Sequence, residues 1–166
     1  NSISVDKNVL ENIDVLFGPS STIYGSDALG GAIFFQTRDP KFLSQTSGKQ
    51  FTGNVLTNYS SSNKGKLGHF DFNLAGKKWA SLTSFSYNDY GDLKMGKRKN
   101  GSNDFFGERP FYVKTTNGID EIVASEDRYV QKYSGYKQYD FLQKIIYKQS
   151  EITQHSLNLQ YSTSSD

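Results

Sequence analysis

Between Glu11 and Ile33 the chain is punctuated so often that only short elements joined by tight turns can be built from it. Ile13, Val15 and Phe17 alternate with Asp14 and Leu16, the period of a strand with one apolar face. The alternation runs into Gly18-Pro19, through which neither a helix nor a central strand continues. Tyr24-Gly25-Ser26 is a second break. The pair Gly30-Gly31 then opens Ala32-Ile33-Phe34-Phe35, a short strand whose glycines leave room for a close neighbour. The unit is expected to run strand, turn, short helix or turn, strand. A Gly-rich segment of a soluble α/β domain would share some of this punctuation, so its context matters.

After Arg38-Asp39-Pro40 and a polar linker over 41–50, the chain becomes a series of aromatic-rich strands. They are expected at 51–60, 66–75, 79–90, 137–148 and 152–162. Such lengths are close to the roughly 9 to 11 residues a tilted strand needs to cross a bilayer. Alternation is cleanest on the second and fifth. Phe70, Phe72 and Leu74 oppose His69, Asp71 and Asn73, and Leu157, Leu159 and Tyr161 oppose Asn158 and Gln160. On the fourth, Tyr139, Phe141, Ile145 and Tyr147 share a face with Gln143, while Leu142 and Ile146 share theirs with Lys144, so periodicity leaves its orientation open. The expected class is mainly all-β. A barrel with lipid outside and water inside gives this period of two, and so does an antiparallel sandwich with one wet face.

The order E-x-I-D-V-x-x-G-P over Glu11 to Pro19, then Y-G-S-x-A-x-G-G-x-I over Tyr24 to Ile33, resembles the end of the plug domain of TonB-dependent outer-membrane receptors. One position departs from that pattern: Phe17 stands where the family usually has Arg, so no ion pair is carried over from it. The resemblance implies the C-terminal part of a plug at 1–40, a linker at 41–50, and the first strands of an outer-membrane barrel at 51–166. With the first strand leaving the plug on the periplasmic side, the tight links at 76–78 and 149–151 fall on that side. The long connection at about 91–136 then falls outside, as outer-membrane barrels arrange their loops. A chain of 166 residues cannot hold a whole plug and a whole transport barrel, so a fragment is expected, with open strand edges that lipid cannot satisfy. That expectation also accounts for the lack of a basic, apolar leader, and a strand-built wall for the lack of an apolar run long enough for a membrane helix.

Composition narrows the function by exclusion. No cysteine is present, which removes disulfide and thiol chemistry. A net charge of +2 is too small to argue for nucleic acid. His69 and His155 lack metal-ligand spacing, and His69, beside Asp71, is expected to face solvent in the lumen. Asp89, Asp92, Glu126 and Asp127 have no base or nucleophile to organise them, and 25–31 lacks the Lys-Ser/Thr ending of a phosphate loop. No catalysis and no resident cofactor are expected. The eleven Tyr and twelve Phe suit the aromatic girdles of a membrane barrel, though a sugar-binding protein could carry them too.

Within the long connection, Lys94, Lys97, Arg98, Lys99, Arg109 and Tyr112 put cations beside aromatic faces, as an anionic or planar ligand would require. A solvated charge run meeting anionic lipopolysaccharide is the plainer alternative. Segments 92–96, 106–113, 134–136 and 160–166 look like the haemoglobin and haem receptor branch of the family, with no haem-ligand motif matched. The resemblance implies energised uptake, most directly of haem or iron from haemoglobin. A TonB-ExbB-ExbD complex would pull on a TonB box outside these residues, with the barrel set in outer-membrane lipid. Uptake of a siderophore, cobalamin or glycan by the same machinery is the alternative, and a non-transporting adhesion or carbohydrate-binding protein is the alternative of another class. Glu11, Asp14 and Arg38 are the candidates for a breakable ionic contact between plug and wall.

Overall fold

The computed structural model describes residues 5–18, 24–25, 30–43, 50–96 and 107–165. The chain divides into two compact units, Asn1–Val55 with His69–Ser86 and Asp140–Thr163, and Leu56–Gly68 with Tyr87–Tyr139 and Ser164–Asp166. Nearly all regular structure is β. A 3-10 turn, Lys7–Val9, precedes β1 (Leu10–Phe17) and β2 (Gly31–Thr37). These pair antiparallel, with Ile13 opposite Phe35, Val15 opposite Ile33 and Phe17 opposite Gly31. The close neighbour expected at the glycine pair is the Leu16 carbonyl: Gly31 has φ of +145°, and a Cβ there would collide with that oxygen. The short helix or turn expected between the two strands lies largely outside the described residues.

β3 (Gln50–Ser60), β4 (Gly65–Ala75) and β5 (Trp79–Tyr90) follow, with β10 (Tyr136–Lys148) and β11 (Gln154–Ser165) completing a five-stranded sheet of order β11-β10-β5-β4-β3. Neighbours in the sheet follow one another along the chain except β5 and β10, which the segment 91–135 separates, so the sheet is an antiparallel meander with one long connection. Expected and observed bounds agree to within a residue except at β11. That strand starts later because the Gln149 and Ser150 N–H groups both donate to Thr153 O, extending the turn.

The connection at 91–136, read from sequence as one long loop, is partly β itself. It holds β6 (Leu93–Lys94) paired with β9 (Val130–Gln131), and β7 (Phe111–Thr116) paired with β8 (Ile119–Ala124). The last pair is a hairpin closed by Asn117 and Gly118, both at positive φ (53° and 80°), as the two central positions of a type I′ turn require.

The five-stranded sheet leaves its large aromatic and aliphatic side chains on the open face, while the covered face is mixed, with Leu67, Ala80, Leu82, Leu142 and Ile146 buried beside polar groups. On β4 the residues His69, Asp71 and Asn73 are buried, whereas Phe70 is 45% exposed. On β5 Ser84 and Ser86 are buried, and on β10 Asp140 is buried while Phe141, Ile145 and Tyr147 are exposed. Val55, Leu157, Leu159 and Tyr161 extend the exposed apolar set to β3 and β11. The orientation of β10 that periodicity left open follows from its partners. Gln143 faces outward, where it donates to Ser81 Oγ and accepts from Thr83 Oγ1 (2.8 and 2.7 Å), while Leu142 turns inward to a small core with Val9 and Leu82.

Candidate functional site

The polar face is buried because the N-terminal segment lies on it, and the contact between them is built from hydrogen bonds more than from apolar packing. Asp6 caps the 3-10 turn by accepting from Asn8 N (2.9 Å), which fixes its second oxygen toward β5. Ser86 donates to that oxygen at 2.6 Å, and Asn8 Nδ2 reaches Ser86 Oγ at 3.4 Å. His69 stands between two carboxylates, with Nδ1 2.7 Å from Ser86 Oγ and Nε2 3.0 Å from Asp71 Oδ2. Asp71 also accepts from Arg38 Nη2 (2.8 Å) and Asn54 Nδ2 (3.0 Å), and Arg38 Nη2 reaches Asn8 O (3.1 Å).

Two further ties lie beside this network. Asn73 and the Lys41 backbone bond reciprocally, N to Oδ1 at 2.8 Å and Nδ2 to O at 3.0 Å. Lys144 on β10 donates to Thr37 O (2.9 Å) and Asp39 Oδ1 (2.8 Å). The second of these is a surface pair, because Asp39 is 62% exposed, and contributes little. The Arg38–Asp71 pair is sheltered on the carboxylate side and shares its acid with two other donors, so it is the stronger tie. An open cavity of about 510 Å³ adjoins it, lined by Glu11, Arg38, Lys41, Asn54, Asp71 and Asn73 among others. Both signs of charge line it together with Leu10, Pro40 and Leu82, so it is a mixed, open seam that water can enter.

Serine, imidazole and carboxylate in a row are also the parts of a nucleophilic triad. Here Ser86 is 0% exposed and its hydroxyl is given to Asp6, and the adjoining cavity is lined by Asp71 but not by Ser86 or His69. The row therefore holds two segments together and offers no nucleophile to a substrate. The expectation that His69 faces solvent is corrected by its burial: alternation gave its face, but not the segment that covers that face.

Of the residues singled out for coupling, Arg38 is in the network. Glu11 lines the cavity without an ion pair among the described residues, and Asp14 accepts from Asn12 on the exposed hairpin. Asp6, Asn8, Asp71 and Ser86 were not singled out. An N-cap signal at Asp6 and the inward period of β4 and β5 were available, but nothing local pairs residues so far apart in the chain.

The second group of sequence candidates lies in the other unit. Lys94 and Arg109 line one cavity of about 180 Å³, together with Leu93, Met95, Gly107, Tyr129 and Gln131. Tyr112 is elsewhere, packing edge-on against Tyr133 at 5.7 Å between ring centroids. Lys97, Arg98 and Lys99 lie outside the described residues. Among the described residues no cluster of His, Asp or Glu could hold a metal ion. His155 bonds Gln149 and stacks on Tyr147.

No protein-family model and no solved structure matches the chain. Over 57 residues it is 39% identical to a ferrioxamine receptor of Yersinia enterocolitica, a stretch covering 34% of this chain and 8% of that receptor.

Proposed function

We propose that these residues are the end of a plug and the first wall strands of a TonB-dependent outer-membrane receptor, and that the full-length protein imports a scarce iron complex. The observation that carries this is the open face of the sheet: large apolar side chains such as Phe70, Phe141, Ile145, Tyr147, Leu157 and Leu159 stay exposed, while His69, Asp71, Asn73, Ser86 and Asp140 are buried on the other face. In water such an open face is a liability, whereas against hydrocarbon it is required. No helix among the described residues is long and apolar enough to cross a membrane, and strands can do so only as a closed barrel. The likeness to a ferrioxamine receptor, and the plug-like order from Glu11 to Ile33, support the same reading.

In this reading the N-terminal segment is held to the wall by ties that a pull can break one after another. Buried ion pairs and hydrogen bonds add little net stability when formed, yet they fix one geometry. A TonB-ExbB-ExbD complex would supply the pull through a TonB box outside these residues. The likeness favours a ferric siderophore of the ferrioxamine kind as ligand; haem or haemoglobin iron is the second reading, carried by the motifs of 92–96, 106–113, 134–136 and 160–166. The test is iron-limited growth of a deletion strain, complemented or not, on ferrioxamine, haem and haemoglobin, with and without TonB. A TonB-dependent defect on one source identifies the ligand. No defect on any source contradicts iron uptake and points to adhesion or glycan binding.

A further inference from the structure

The cavity beside β6 and β9 has a charge surplus with a fixed address. Two cations line it, and one is paired: Lys94 Nζ lies 2.9 Å from Asp127 Oδ2. Arg109 pairs with no acid among the described residues, although it lines the cavity. The walls are held by backbone bonds, Met95 N to Tyr129 O (2.8 Å) and Arg109 N to Arg128 O (2.7 Å). Gly107, at φ of +79°, keeps one wall open, since a Cβ there would lie 3.1 Å from Met95 Cε. Gln131 adds an amide donor to the rim.

About 180 Å³ is too small for a whole drug-sized ligand, whose pockets run to roughly 300–1,000 Å³, but it accommodates one charged group. We propose that this cavity is a subsite for a single oxyanion, a carboxylate or phosphate, with Arg109 as the cation and Gln131 as a hydrogen-bond donor. Arg109 is exposed and offers a planar fork of N–H groups that matches either oxyanion. The inference rests on the transport reading only for the side from which the ion arrives. Two sources of the same chemistry are possible: an acidic group of a soluble ligand, or a phosphate of lipopolysaccharide.

The experiment is calorimetric titration of the full-length protein in detergent micelles with inorganic phosphate, acetate, and lipopolysaccharide before and after dephosphorylation. Wild type, Arg109→Gln and Lys114→Gln are compared, the last removing a cation from the β7–β8 hairpin away from the cavity lining. The expected result is saturable binding of phosphate or acetate that weakens at least ~10-fold in Arg109→Gln and is unchanged in Lys114→Gln. Phosphate-dependent binding of lipopolysaccharide alone, lost in Arg109→Gln, assigns the site to the membrane source. Equal affinity in wild type and Arg109→Gln, equal losses in both variants, or no saturable binding overturns the proposal. The titration needs no transport, so its failure and that of the uptake reading are separate.

Discussion

At the scale of single residues, Asp71 is the joint between the N-terminal segment and the sheet. Three donors from three parts of the chain meet its carboxylate: Arg38 after β2, Asn54 on β3 and His69 on its own strand. Removing one partner of a sheltered ion pair leaves the other uncompensated, at a cost of about 3–5 kcal/mol for full burial. Arg38 retains 30% side-chain exposure, so the lower end applies. Arg38→Gln should speed amide exchange at the Arg38 N–H, which donates to Val9 O at 2.8 Å, about 100-fold, while Glu11→Gln leaves it near the wild-type rate. Equal rates in all three proteins would show that the segment is not held through Asp71. Arg38 was legible from the sequence as a charge at the end of an apolar unit. Its partner was not, because Asp71 looks like any inward residue of a polar-faced strand until the covering segment is placed.

At the scale of elements, the strands were legible wherever alternation and turn residues agreed. The β1–β2 hairpin was marked by Gly18-Pro19 and Gly30-Gly31, and β3, β4, β5 and β10 by aromatic runs bounded by polar breaks. The β7–β8 hairpin carried a strong signal too, Asn117-Gly118 between β-branched and aromatic runs, but it lies inside a stretch whose length suggested a loop. Gly118→Val puts a β-branched side chain at φ of +80°, where left-handed backbone costs about 1–2 kcal/mol. The Val113–Ile122 register should fray, and hydrogen exchange across β7 and β8 should rise roughly 5- to 30-fold. Unchanged protection would mean that the turn does not determine the hairpin.

At the scale of the whole molecule, the period of two on β4 and β11 was plain in the sequence, but it fits a sandwich and a barrel equally. What separates them is which face is covered, and that depends on contacts 30 and more residues apart, such as Asn8 with Arg38 and Asn73 with Lys41. In the structure the side bearing His69, Asp71 and Asn73 is covered and the aromatic side is open, with Phe51 stacked on Phe72 and Phe70 tilted against Phe85 along the open face. The 166 residues contain no cysteine, so with any cysteine elsewhere in the full-length protein replaced by serine a spin label can be placed on β4 one position at a time. The most direct measurement is the accessibility of labels at Phe70→Cys, Phe72→Cys, Asn73→Cys and Ala75→Cys in the full-length protein reconstituted into liposomes. High collision rates with lipid-dissolved oxygen are expected at 70 and 72, and low rates with oxygen at 73 and 75, with the water-soluble nickel complex reaching 73 only through the adjoining open cavity. Labels at 70 and 72 that meet the nickel complex instead of oxygen would place the apolar face in water and contradict the membrane wall.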